Sequence, residues 1–228
     1  MAIILHIETA TKSCSVAISK KGVLLGYKEE HPESYVHSEK LTKYINDLLQ
    51  ELGIPFSQLD AISVSSGPGS YTGLRIGSST AKGLCFALKI PLISVPTLKS
   101  FDSFARKKGL IGNICVMIDA RRMEVYSRIS SSEKKVLKKT SPDILDKETY
   151  KEFEPFIAIG DGAFKTKELW GNRDVKYDFS IKPSAIGQIS IAYEMFMTKQ
   201  VQKLEDFEPN YFKDFIATIP KKGTQSSS

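Results

Sequence analysis

Apolar and polar positions along the first 108 residues predict short strands followed by alternating strands and helices. Near the N-terminus, brief apolar runs separated by polar turns predict three strands in succession. Leu41, Ile45 and Leu48 then recur at helical spacing, and Gly53 ends the helix. The predicted strands are 3–8, 14–19, 23–30, 59–64 and 91–95, and the predicted helices are 36–52, 72–88 and about 97–107.

After Lys108 and Gly109 the pattern restarts in a shortened form. Three further strands are predicted, followed by a short helix, a strand and a last helix; they cover 113–120, 124–130, 134–140, about 147–153, 156–160 and 184–199. Two halves that each open with three strands are the plan of the actin-like, ribonuclease-H-type α/β fold. The sequence therefore predicts two related βββαβα halves, 1–108 and a reduced 109–219, and a mobile tail over 220–228.

Composition limits the class of protein without identifying it. The 228 residues are 41% hydrophobic and 25% charged, as in an ordinary globular protein. No apolar run reaches membrane-spanning length and the N-terminus does not resemble a signal peptide, so a cytoplasmic protein is expected. The three cysteines lie far apart, which favours buried free thiols over a metal cluster. The net charge of +6 is scattered, leaving open simple solubility or weak attraction to a polyanion.

A glycine-rich loop, S-S-G-P-G-S-Y-T-G-L-R-I-G over 65–77, leaves a predicted strand and opens a helix. Backbone N–H groups at such a place form a common phosphate site. A Walker A sequence needs G-K-[ST] at its end, whereas Gly73 is followed by Leu74 and Arg75. The glycine spacing does not fit G-x-G-x-x-G either, so both the P-loop and the dinucleotide interpretation are excluded.

Small residues at intervals of four form a smooth ridge along the helix that follows this loop. They are Gly73, Gly77 and Ala81. A glycine inside a helix costs about 1 kcal/mol relative to alanine, so a compensating contact is expected. Close approach of another backbone would supply it. The sequence leaves two alternatives open: a helix of another subunit, or this protein's own sheet or first helix.

Three polar turns are candidates for an ancestral nucleotide cleft that has eroded. Turns at these places face the phosphates and nucleoside in actin-like folds, although each turn alone is ordinary turn chemistry. The candidate residues are Thr9, Thr11, Asp119, Arg121, Gly160, Asp161 and Gly162. His37 is followed at i+4 by Leu41, so the histidine pair of a helical metal site is absent, and no G-x-S-x-G elbow occurs. No catalytic residue, metal or cofactor is predicted.

A series of motifs runs in order along nearly the whole chain: I-E-T-A-T-K-S-C-S-V-A-I (7–18), H-S-E-K-L (37–41), S-G-P-G-S-Y-T-G-L-R-I-G (66–77), A-K-G-L (81–84), D-A-R-R-M-E-V-Y (119–126), G-D-G-A (160–163) and P-N-Y-F-K (209–213). In these motifs the chain closely resembles the TsaB (YeaZ) family, dimerisation subunits of the bacterial complex that makes threonylcarbamoyladenosine on tRNA. One departure is Glu8-Thr9-Ala10 where many relatives have D-T-S.

The resemblance implies a subunit that works through partners. Members are paralogues of the catalytic subunit TsaD, which carries an H-x-x-x-H metal site where this chain has His37 and Leu41. They pair through two N-terminal helices, here about 35–52 and 72–88, as homodimers alone or as heterodimers with TsaD, on which the ATPase TsaE docks. The implied partner-binding residues are Tyr35, His37, Ser38, Leu41, Gly69, Tyr71, Thr72, Gly73, Leu74, Arg75, Gly77 and Ala81.

Three functional hypotheses follow, from different classes. The first is a non-catalytic scaffold that supports threonylcarbamoyl transfer to adenosine of tRNA, with tRNA reached only through the complex. The second is an actin-like ATPase or hydrolase that acts on its own. The third is a direct tRNA-binding module, suggested by the pI of about 9.0.

Overall fold

The structure, a computed structural model, describes residues 2–32 and 36–212. Its first half is a five-stranded mixed sheet in the order β3-β2-β1-β4-β5, with helices between the later strands. β1 pairs with β2 in antiparallel fashion and with β4 in parallel. The elements are β1 (Ile3–Glu8), β2 (Cys14–Lys20), β3 (Val23–Glu30), α1 (His37–Glu51), β4 (Ala61–Ser65), α2 (Tyr71–Leu88), β5 (Leu92–Val95) and α3 (Thr97–Lys107).

The second half repeats this topology in a sheet ordered β10-β9-β6-β7-β8. Here β6 takes the place of β1, since it is antiparallel to β7 and parallel to β9. The elements are β6 (Asn113–Asp119), β7 (Glu124–Ser130), β8 (Val136–Ile144), β9 (Phe156–Ile159), α4 (Thr166–Leu169), β10 (Val175–Asp178) and α5 (Ile189–Met197). Two sheets with one shared strand order confirm the predicted actin-like fold of two related halves.

The second half departs most from the predicted elements. β8 begins later than predicted because a turn closed by a hydrogen bond from Ser131 N to Lys135 O (2.8 Å) occupies 131–135. The helix predicted at about 147–153 is wrong, apart from a 3-10 turn at Lys151–Phe153. α4 and β10 were not predicted. The division at residue 108 stays a prediction, and the tail 220–228 lies outside the described residues.

Alternation along β1 determines which helix covers which face of the first sheet. Leu5 and Ile7 pack with α1 and α2, whereas Ile4 packs with Ile191 of α5 on the other face. α3 packs instead on β6 of the second sheet. α1 and α2 therefore share one outer layer, and the side of α2 away from the sheet faces solvent. Each helix in the described part is too short or too polar to span a bilayer.

A buried polar junction joins the halves beneath this layer. The Gln188 Nε2 group, from a 3-10 turn before α5, donates to Ile7 O (2.7 Å) and Ser65 Oγ (3.0 Å). Gln188 Oε1 accepts from Ser63 Oγ (2.7 Å), and Ser63 also bonds His6 Nδ1 (2.6 Å). Burial lowers the pKa of His6 to about 3, so this imidazole is neutral.

Candidate functional site

The glycine-rich loop between β4 and α2 uses its backbone donors within the protein. Gly67 N donates to Thr97 Oγ1 (3.0 Å) and Ser70 N donates to Ala10 O (2.6 Å). A Cβ on Gly67 would lie closer than 3.0 Å to Asn210 O, so the C-terminal segment fills the space beside the loop. Because these donors and this space are already used, the loop fastens segments of the fold to one another.

The ridge of small residues on α2 packs inside the subunit. A Cβ on Gly73 would meet Thr9 O, and one on Gly77 would meet Thr9 Oγ1, both closer than 3.0 Å. The Thr9 hydroxyl donates to Gly73 O (2.8 Å), and Ala81 is fully buried in the core. Of the two alternatives for the ridge, the internal contact is the one observed, and the prediction of a surface ridge open to another subunit is wrong.

Three further residues predicted to meet a partner are buried as well. His37 Nε2 donates to Thr11 O (2.7 Å), and burial lowers the pKa of His37. Leu41 and Leu74 are almost completely buried. These side chains face inward because α1 and the start of α2 cover the first sheet and the turn after β1. Tyr35 lies outside the described residues.

The outer face of α2 is the surface that remains. Ser38 of α1 and Thr72 and Arg75 of α2 are exposed, whereas Gly69 and Tyr71 are half-buried. Exposed positions along α2 recur every three or four residues and form what we call the outer stripe: Thr72, Arg75, Ser79, Gly83 and Phe86. Of the predicted residues, Thr72 and Arg75 thus lie in this stripe, and Gly69 and Tyr71 lie beside its N-terminal end.

Gly83 and Phe86 of the outer stripe were missed by the sequence analysis. Apart from its chain neighbours and its own helix backbone, no described atom lies within 4 Å of a Cβ built on Gly83, and Phe86 is 80% exposed. The helical spacing could have revealed Phe86, because this residue comes nine positions after Gly77. Nine positions correspond to about 180° round a helix of 3.6 residues per turn, so the two residues lie on opposite faces. A ridge that faces inward therefore places Phe86 outward.

An aromatic cluster fixes the N-terminal end of the outer stripe. The Tyr71 and Tyr211 rings lie 4.7 Å apart between centroids, and the Arg75 guanidinium lies 4.7 Å from the Tyr71 ring. Burial raises the pKa of Tyr211. The C-terminal segment that carries Tyr211 thus contributes to this surface, a contribution that only the folded chain reveals.

A cavity of about 330 Å³ lies between the two halves. It is lined by Thr11, Lys12, Ser13, His31, Pro32, Phe101, Gly160, Asp161, Phe164, Lys182 and Pro183. Three predicted nucleotide-cleft residues, Thr11, Gly160 and Asp161, therefore meet at one place although they lie far apart in the sequence. Thr9, Asp119, Arg121 and Gly162 do not line this cavity.

Polar groups beside the cavity are largely bonded to one another. Asp119 Oδ1 accepts from Arg121 N (2.5 Å) and pairs with Lys165 Nζ (2.5 Å). Asp161 Oδ1 accepts from Asp119 N (2.9 Å), and burial raises the pKa of Asp161. Use of the cleft by a nucleotide stays a prediction.

Glu8, which precedes the first polar turn, is buried at the end of β1. One carboxyl oxygen accepts from Ala10 N (2.8 Å) and the other from the Ser65 hydroxyl. Burial raises the pKa of Glu8, which disfavours the charged form that a cation would need. Across 2–32 and 36–212, no three His, Cys, Asp or Glu side chains form a group that could hold a metal ion.

Fold and site together define an actin-like α/β protein with a cavity between its two halves and an exposed face on α2. The chain belongs to the TsaD family, since the family model described as "tRNA N6-adenosine threonylcarbamoyltransferase" matches residues 31–222.

Curated relatives and solved structures are more specific. The chain is 28% identical to the Escherichia coli "tRNA threonylcarbamoyladenosine biosynthesis protein TsaB", over 94% of this chain and 96% of that protein. It is 35% identical to a Buchnera aphidicola TsaB, over 54% of this chain and 55% of the relative. YeaZ from Pseudomonas aeruginosa superposes with a TM-score of 0.80 at 27% identity, covering 92% of this chain and all of that one. The resemblance to TsaB (YeaZ) proteins is confirmed.

Proposed function

We propose that this chain is a non-catalytic scaffold subunit of the machinery that makes threonylcarbamoyladenosine on tRNA. It pairs with the catalytic paralogue TsaD, pairs with itself when TsaD is absent, and forms part of the assembly on which TsaE docks. The names of the relatives and the family match support a role in this modification, which would take place in the cytoplasm.

The observation that carries the proposal is the outer stripe of α2. Gly83 lies inside a helix, where glycine costs about 1 kcal/mol relative to alanine, and no atom of the described residues uses the space that its missing side chain leaves. Three residues later, the Phe86 ring is 80% exposed. A gap beside a large apolar ring fits the backbone of a second helix, with the ring covered on association.

Residue types at the other end of the outer stripe also suit a protein partner. Tyrosine and arginine are over-represented among the residues that dominate binding energy in interfaces. Tyr71, Arg75 and Tyr211 already contact one another, so less side-chain entropy is lost when a partner covers them. We place the centre of the paralogue-binding surface along this stripe.

Several contacts favour a scaffold over independent catalysis. The backbone donors of the glycine-rich loop are bonded internally at Gly67 and Ser70. Leu41 takes the place of the second histidine of the paralogue's metal pair and is buried in the core. The alternative, an actin-like ATPase or hydrolase, would use the interdomain cavity, and it predicts nucleotide hydrolysis by the isolated chain.

The decisive experiment reconstitutes tRNA modification from the catalytic paralogue, the ATPase and this chain. We expect threonylcarbamoyladenosine to form only when the chain is present, and the isolated chain to hydrolyse no ATP. Equal modification without the chain would contradict the scaffold role, and ATP turnover by the chain alone would support the enzyme instead.

A matched pair of variants tests the surface. Phe86→Glu puts a charge on the outer stripe, whereas Ile111→Glu changes an equally exposed apolar residue, 84% against 80%, on the α3–β6 connection. In sedimentation velocity with the catalytic paralogue, we expect Phe86→Glu to weaken association at least tenfold and Ile111→Glu to leave it unchanged. The same affinity for both variants would remove the outer stripe from the interface.

A further inference from the structure

The turn between β6 and β7 displays two adjacent arginines in an unusual backbone conformation. Arg121 has φ 71° and Arg122 has φ 47°, both in the left-handed region, and both residues are exposed. L side chains rarely adopt such backbone, because Cβ then lies too close to the following carbonyl oxygen. Hydrogen bonds hold the turn, from Glu124 N to Arg121 O (3.1 Å) and from Arg121 N to Asp119 Oδ1 (2.5 Å).

Neighbouring carboxylates do not neutralise these guanidinium groups. The Asp119 carboxylate pairs with Lys165, and Asp161 Oδ1 accepts from the Asp119 backbone. Within 2–32 and 36–212, the arginines that form ion pairs are Arg106 and Arg173. Two positive charges are thus held at the surface without an acidic partner in the described part of the chain.

The base of the turn is hydrogen-bonded to a residue that lines the cavity between the two halves, and lysines line this cavity too. Asp161, which bonds the base of the turn, lines that cavity together with Lys12 from the first half and Lys182 from the second. Each half therefore contributes a lysine to the lining of this cavity.

We propose that the Arg121–Arg122 turn contacts the phosphodiester backbone of tRNA. The guanidinium fork matches phosphate oxygens in a bidentate geometry that an ammonium group cannot reproduce. A turn closed by its own hydrogen bonds presents both forks with little loss of backbone freedom on binding. The inference rests on the proposed function, which makes tRNA the polyanion that this protein meets.

The test compares two pairs of cations on consecutive turns of the same sheet, which lie at opposite ends of β7. Arg121→Asn with Arg122→Asn removes two charges, and asparagine tolerates left-handed backbone. Lys134→Asn with Lys135→Asn removes two charges from the β7–β8 turn, where Lys134 has φ 65°. Binding of fluorescent tRNA is measured by anisotropy over a series of salt concentrations, for the complex with the catalytic paralogue and for the isolated chain.

We expect the arginine variant to bind tRNA about 10- to 100-fold more weakly, with the slope of log K against log salt reduced by about 1–2. The lysine variant should bind within about threefold of the original chain. Equal losses in both variants, or no loss in either, would overturn the proposal.

Two further readouts separate this inference from other outcomes. Unchanged tRNA affinity with weakened ATP binding in calorimetry would assign the turn to a nucleotide, and lost association with the paralogue would assign it to the protein interface; either result overturns the proposal. If the unaltered chain neither binds the paralogue nor affects modification, the proposed function fails. The isolated-chain titration still decides whether the turn contacts tRNA.

Discussion

The two faces of α2 contain the same residue type for opposite reasons. On the inner face, Gly73 and Gly77 leave room for the backbone and hydroxyl of Thr9, which occupy the space where their side chains would lie. On the outer face, Gly83 leaves room that no described atom fills. The inner glycines are explained by the fold of the single chain, whereas no contact among the described residues explains the outer glycine.

Spacing along the helix could not distinguish these two cases. Gly73, Gly77 and Ala81 form the more regular pattern, and that pattern belongs to the core. Gly83 stands alone beside Phe86. In this helix, the contacts around a glycine are a better guide to its purpose than the regularity of its spacing.

The largest expected effect comes from filling the inner face. Gly77→Leu would force a side chain into the space of Thr9 Oγ1, which donates to Gly73 O (2.8 Å). Overpacking of this kind should lower the free energy of unfolding by about 3 kcal/mol or more. Urea unfolding followed by circular dichroism measures it. An unchanged urea midpoint would show that the inner face tolerates a side chain, and the two faces of α2 would then not differ in this respect.

Filling the outer face should affect association and spare stability. Gly83→Leu places a side chain in open space, so we expect an unfolding midpoint equal to or above that of the unaltered chain. The same side chain should block close helix approach and weaken pairing with the catalytic paralogue by about 100-fold, or about 2.7 kcal/mol. Sedimentation velocity measures the affinity of this variant for the catalytic paralogue. An affinity equal to that of the unaltered chain would show that the interface does not include the outer stripe.

The sheet beneath the inner face should make stability depend on pH. His6 has a pKa of about 3 in the folded protein against 6.5 when exposed, so the unfolded chain takes up a proton first as pH falls. The stability that neutral His6 contributes is fully present above about pH 6.5 and is lost as the pH falls towards 3. The free energy of unfolding then decreases by up to about 1.4 kcal/mol per pH unit. Burial lowers the pKa of His37 also, which adds loss in the same direction.

Urea unfolding between pH 7.5 and 5 measures this slope. His6→Gln should make it shallower, leaving the contributions of His37 and of the other groups whose pKa values differ between the folded and unfolded chain. An identical slope in that variant would mean that His6 does not titrate across unfolding, contrary to its burial at the junction with Gln188.

The smallest expected effect comes from adding a single methyl group to either face of α2. Gly83→Ala should raise the free energy of unfolding by up to about 1 kcal/mol, because alanine is the better helix former and the space is open. Gly77→Ala should lower it, because the same methyl group meets Thr9. Thermal unfolding of the two variants checks the signs, and a shift of the same sign in both would remove the distinction.

Much of the fold could be read from periodicity because local spacing carries it. The strands of the first half and the helix that contains Leu41 and Leu48 were predicted within a few residues, since alternation and helical spacing are properties of short segments. β10 and α4 were missed because each is four residues long with at most two apolar residues, whereas the equally short β5 and β9 are mostly apolar.

By itself, the sequence determined the fold class, the family and the identity of the glycine-rich loop as something other than a P-loop. These conclusions depend on spacing, on residue types and on the order of elements and motifs, all of which can be read along the chain without the fold. Only the tertiary structure decided which way α2 faces, because Thr9, Asn210 and Tyr211 reach it from distant parts of the chain. The periodicity of a helix can be read from its own sequence. Which of its faces is buried depends on the segments that pack against it in the folded chain.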